Sequence, residues 1–288
     1  MRRTGILLAC ALLLALSVAT PAQAIVKFDV RISGISLSDS EIEQIVVLVG
    51  DVQKACAEVL GAGSRVNQAV NLCIFGSQEE FQRYGGPKLA SLGPAVGFYR
   101  TRPMEVVVWA QNSKERMRST LLHECTHLFL HLAEPDIPIA MDEGLAEVLM
   151  NSTLENGTFR ILPNPTWSRI AAVALSRDSL PDLDVFLDLS RQEWQRLDAQ
   201  RIPMRAVSWT LAYWLMESES RQRILAGFLD GLSRSGGRHP SQVLAAAAGK
   251  RTVDLDKEWQ RWISGTPSPS SLSISAAGSG SRGVVFRQ

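Results

Sequence analysis

The sequence predicts an α+β protein. Four short strand-like runs fall within the first 113 residues, and from Lys114 onward apolar residues recur at helical spacing. The composition, 45% hydrophobic and 20% charged over 288 residues, suits a globular chain able to bury a core without crosslinks. The formal net charge of +1 provides no strong basic field, so nucleic acid is not an expected partner.

The first 24 residues read as a signal peptide rather than as fold. Arg2 and Arg3 form a basic start, Gly5–Val18 is apolar, and Ala22-x-Ala24 is a small-residue cleavage pattern. The mature chain then begins near Ile25 and is periplasmic or secreted. The apolar stretch is shorter than the roughly 20 residues of a membrane span. No stable membrane span is therefore expected after cleavage. A lipid-attachment reading of Cys10 fails because too little apolar sequence precedes it and too much follows. Loss of Arg2 and Arg3 leaves 28 basic and 29 acidic residues.

Residues 25–264 form one expected domain, sheet-rich over 25–113 and helical over 114–264. Val26–Gly34 alternates apolar and polar positions as a strand does. Capping-type residues then open a helix whose apolar positions run from Ile42 to Leu60, with Gly61 as a stop. Arg65–Ser77 is a second strand. Glu79–Tyr84 is a short helix ending at Gly85-Gly86-Pro87. Ala95–Arg100 and Met104–Ala110 pair as a hairpin across Thr101–Pro103. Helices follow at Glu115–Leu132, Ile137–Met150, Pro165–Arg177, Met204–Glu217, Arg221–Leu232, Gln242–Ala248 and Asp254–Ile263, and Asn156 marks a turn between two extended pieces. The tail, 265–288, is rich in Ser, Gly and Pro and is expected to be disordered. Cys56 and Cys73 can meet as a disulfide or remain two buried thiols; spacing does not decide between these. Cys125 reads as a small core residue.

The chemistry concentrates in His123-Glu124-Cys125-Thr126-His127, an H-E-x-x-H motif. Residues four apart share a helix face, so both histidines can reach one metal ion. Glu124 lies about 100° round the helix and can serve as general base to a water that the metal activates. Leu121, Cys125, Leu128, Phe129 and Leu132 occupy the opposite, buried face.

A catalytic zinc site needs a third protein ligand. His131 lies a further turn along the same straight helix, too far to share the ion. The long H-E-x-x-H-x-x-G-x-x-H pattern, which breaks the helix at a glycine, is excluded because Leu130 and Ala133 stand at its last two positions. The better source is Met141–Leu149. Pro135 and Pro138 turn the chain, and Asp136 is placed to cap a return helix. Glu143 and Glu147 then share one face of it, Gly144 allows close approach, and Glu147 can hold the outer nitrogen of a ligating histidine.

H-E-x-x-H, a proline-containing turn and Asp142-Glu143-Gly144-Leu145-Ala146-Glu147 together resemble the gluzincin metallopeptidases, the thermolysin-related peptidase-MA-like group, and small exported bacterial members in particular. Gly97-Phe98-Tyr99, Val106–Ala110, Arg205–Met216 and Asp254–Ile263 extend the likeness over Phe81–Ile263. The resemblance implies a minimal thermolysin-like fold and Zn2+ held by His123, His127 and Glu143. It makes Glu124 the base and Glu147 a support to the ligands. It departs from the family at Pro138–Met141, where an aromatic is missing. A downstream tyrosine or histidine commonly stabilises the oxyanion in relatives; here that means Tyr213 or His239. The implied activity is hydrolysis of peptide or protein substrates, with the Val106–Ala110 strand expected as the sheet edge along the cleft. The rival readings are an inactive zinc-binding module and a cell-envelope scaffold.

Overall fold

The computed structural model describes residues 27–60, 69–90, 95–155, 158–235, 239–265 and 271–275. The expected signal segment and the turn at Asn156 lie outside them. The fold is α+β, as expected.

β1 (Phe28–Ser33) leads through α1 (Asp39–Leu60) to β2 (Val70–Phe75), and α2 (Gln78–Ala90) leads to the hairpin β3 (Gly97–Thr101) and β4 (Met104–Trp109). The sheet order is β1-β2-β4-β3, parallel except for β3. This corrects the edge-strand expectation. Val106–Ala110 lies largely on interior β4, and the edge beside the following helix is β3. The reason is visible in β4 itself: Val106, Val107 and Val108 are all buried, the mark of a strand covered on both faces. α2 is two helical pieces that meet at a kink at Gly86 (φ 72°, ψ −170°), so the first piece ends where the glycine pair was expected to stop it.

Strand alternation separates the cysteines. Leu72 and Ile74 face the main core with Cys56, whereas Cys73 faces Phe81 and Val107 on the other side of the sheet. Cys56, Cys73 and Cys125 are buried free thiols.

α3 (Lys114–Ala133) lies against β3 and β4. Ser113 caps it, its hydroxyl accepting from the Arg116 amide at 3.3 Å. Glu134 and Pro135 end it, and α4 (Ile139–Met150) returns along it. Asp136 does not cap α4, as had been expected. It is exposed, and Pro138 occupies the N-cap position, which suits a proline because it needs no amide partner.

β5 (Ser152–Glu155) and β6 (Thr158–Ile161) form an antiparallel pair, followed by α5 (Pro165–Ser176) and two short helices that periodicity did not reveal, α6 (Leu183–Asp188) and α7 (Arg191–Ala199). α8 (Met204–Met216) is buried at every position but Arg205 and packs across α4. A Cβ built on Gly144 would lie 2.4 Å from the Ser208 carbonyl oxygen, so only glycine permits this crossing. α9 (Glu219–Leu232), α10 (Pro240–Ala248) and α11 (Thr252–Gly265) complete the helical half.

The tail departs from expectation. Leu272–Ser275 forms β7, antiparallel to β6, with Leu272 and Ile274 buried in the main core. Alternating apolar residues within a Ser-rich stretch are enough for one strand when an open sheet edge is nearby. No helix among the described residues is long and apolar enough to cross a membrane.

Candidate metal centre

α3 and α4 run antiparallel, so positions late in one meet positions early in the other. His123, His127 and Glu143 converge: one donor atom from each lies within 4.8 Å of the others. His123 Nε2 and His127 Nε2 are 3.0 Å apart, with their rings edge to face. The Glu143 carboxylate stands 3.9 Å from each of these nitrogens. All three side chains are buried.

Around this cluster the hydrogen bonding is incomplete in a telling way. Glu143 Oε2 is buried without a hydrogen-bond partner, as is His123 Nδ1. Burying an unpaired carboxylate oxygen is costly. The two facing ring nitrogens also need a cation or a proton between them. His127 Nδ1 donates to Asp142 Oδ1 at 2.6 Å, so in the neutral ring the lone pair of Nε2 points at the cluster. The donor set and the unpaired Glu143 Oε2 fit a metal ion bound among His123, His127 and Glu143.

Asp142 is the residue sequence reasoning missed. It is fully buried and accepts from His127, from His131 Nε2 at 3.0 Å and from Arg191 at 3.1 Å. Burial opposes its ionisation, but His127 and His131 outweigh that and hold its carboxyl well below the usual range. Burial likewise opposes protonation of His127, and Asp142 reverses the balance upward. His123, penalised by burial and by the neighbouring His127, is shifted well downward. The only signal for Asp142 was its place immediately before Glu143.

Glu147 faces the outer nitrogen of His123 as expected, at 3.8 Å, which is beyond hydrogen-bond reach. Its closer partner is Arg205 at 3.3 Å. Burial, set against that arginine, pushes Glu147 up to about 7. Arg191 and Arg205 thus flank the cluster, and neither was expected from the sequence.

Glu124 is half-buried, and its side chain lies against the edge strand: a Cβ on Gly97 would come within 2.8 Å of Glu124 Cγ. Burial, and after it the Glu143 and Asp142 charges acting against His127 and Arg205, push Glu124 up to about 7.

His131 takes no direct part in the cluster; it bonds Asp142 and stacks on Tyr99. Tyr213, the candidate oxyanion donor, lies in the core, on α8. It is fully buried, packed between Trp209 and Trp262, because α8 is enclosed on all sides at that level. His239 lies elsewhere, beside Asp188 at the start of α10. The tyrosine at the centre is Tyr99, whose ring stacks on both His127 and His131 at 5.4 and 5.5 Å. No family model and no curated protein matches the chain.

Proposed function

We propose that the chain is a zinc-dependent hydrolase of the gluzincin type, exported from the cytoplasm and acting on peptide bonds. The observation that carries this reading is the convergence of His123, His127 and Glu143 with Glu143 Oε2 buried and unpaired, and with Glu124 beside the two histidines on α3. Two imidazoles and one carboxylate are a catalytic zinc donor set. A bound zinc ion supplies Lewis acidity, which acidifies water and polarises a carbonyl.

The residues divide the remaining work. Glu124 takes the proton of the attacking water and returns it to the departing nitrogen. Asp142 fixes the His127 tautomer, and His131 and Arg191 hold Asp142 in turn. The edge strand β3 offers an extended substrate a backbone to pair with. Export rests on Arg2, Arg3, the apolar stretch Gly5–Val18 and Ala22-x-Ala24.

The test has two parts. Purified wild type should hold one zinc per chain by elemental analysis, and His123→Ala should hold none. Wild type should cleave members of a mixed peptide library, and Glu124→Gln should keep the zinc and lose cleavage. A metal-free wild type returns the chain to the scaffold reading. A zinc-loaded wild type that cleaves nothing makes it an inactive binding module.

A further inference from the structure

Hydrolysis also needs a donor for the carbonyl oxygen as it takes up negative charge, and the sequence offers three tyrosines for that part. Tyr84 donates to Glu105 at 2.8 Å on the far side of the sheet. Tyr213 is enclosed between two tryptophans. Tyr99 alone lies at the centre. Gly97 and Tyr99 are two residues apart on β3 and so share a strand face. Gly97 lies against Glu124, and the Tyr99 ring lies over His127 and His131. The base and the phenol therefore stand side by side along the free edge of the sheet, above the ligand helix. The ring is partly exposed, and the Tyr99 hydroxyl forms no hydrogen bond among the described residues.

We propose that Tyr99 is a catalytic residue whose hydroxyl donates a hydrogen bond to the substrate carbonyl oxygen in the transition state. The inference rests on the hydrolase reading and deepens it. The water oxygen bonds to the carbonyl carbon, one of its protons passes to Glu124, and the π pair of the carbonyl moves onto the oxygen that Tyr99 contacts. When that pair returns, the C–N bond breaks and Glu124 passes its proton to the leaving nitrogen. Acid and amine result, and Tyr99 keeps its proton throughout. A substrate strand paired along β3 carries its carbonyls past this hydroxyl.

Tyr99→Phe isolates the hydroxyl, because it preserves the ring that stacks on the histidines. The experiment compares zinc-loaded wild type and Tyr99→Phe on the best-cleaved member of a mixed peptide library. Affinity is measured for that peptide, in a Glu124→Gln background, and for its phosphinic analogue, whose tetrahedral centre resembles the transition state. The expected result is unchanged zinc content, unchanged peptide affinity, and kcat lower by about 10²–10³-fold, the usual loss for one oxyanion donor. Affinity for the phosphinic analogue should also fall. Equal kcat in the two proteins overturns the role of Tyr99 and leaves the hydrolase reading intact. Loss of zinc or of peptide affinity in Tyr99→Phe also overturns it, by making the residue structural. A zinc-loaded wild type without cleavage removes the hydrolase reading, and this proposal with it.

Discussion

At the scale of single residues, the centre is decided by which acid reaches which imidazole nitrogen. Helical spacing identified Glu143 and Glu147 as a pair on one face, and that much was legible because it depends on one helix alone. It was silent on Asp142, because the reach of Asp142 depends on how α4 is rotated against α3. Rotation is set by packing partners far along the chain, Ser208 and Ala212 against Gly144 among them. The result is that Asp142 makes the short bond, 2.6 Å to His127, while Glu147 stands 3.8 Å from His123. Supporting residues of this kind typically contribute about 10–100-fold in metal affinity. Asp142→Ala should therefore weaken zinc binding by that order in competition with a chromophoric chelator, and by more than Glu147→Ala does. Equal affinities for Asp142→Ala and wild type would remove Asp142 from the centre. A larger loss in Glu147→Ala would reverse the order argued from these distances.

At the scale of elements, the helix pair α3–α4 was readable from motif and turn, whereas β4 was expected at the sheet edge although its three consecutive valines suit an interior strand. α6 and α7 were not readable, since 6 and 9 residues give too few turns for periodicity to register. The α4–α8 crossing was visible only as an otherwise unexplained Gly144. Its role can be weighed. Replacing a helical glycine by alanine ordinarily stabilises by about 0.5–1 kcal/mol. Here the new methyl would meet the backbone of α8 at 2.4 Å, and overpacking of this kind costs about 1–3 kcal/mol. The clash wins, so Gly144→Ala should lower Tm, and it should loosen zinc by displacing Glu143. A raised Tm would show that the two helices can part freely. The sheet makes a second prediction. With Cys56 and Cys73 on opposite faces, Cys56, Cys73 and Cys125 should each take one alkylating group in denaturant without reductant, and intact mass should show no disulfide.

At the scale of the whole molecule, the main core is continuous from α1 to β7, and it gathers Ile45, Leu128, Trp209, Trp259 and Ile274 into one body. Composition alone placed the chain beyond Gly265 outside that body, because Ser, Gly and Pro dominate it. Composition averages over position, however, and two correctly spaced apolar residues within it suffice to complete a sheet. β7 pairs with β6 and touches α1, joining the small C-terminal sheet to the N-terminal helix. Leu272 and Ile274 are 2% and 1% exposed, close to the values of the central helices. Removing such a side chain costs about 2–5 kcal/mol, whereas the same change in an unstructured tail costs nothing. Ile274→Ala should therefore lower Tm clearly; a chain of this size shifts by about 2–4 °C for each kcal/mol. Zinc content should be retained, because β7 lies against β6 and α1 rather than against the ligand helices. An unchanged Tm would mean that Leu272–Ser275 adds nothing to the core and that the compositional reading of the tail was right. A lowered Tm with zinc retained would make this strand a structural brace that acts at a distance from the metal centre.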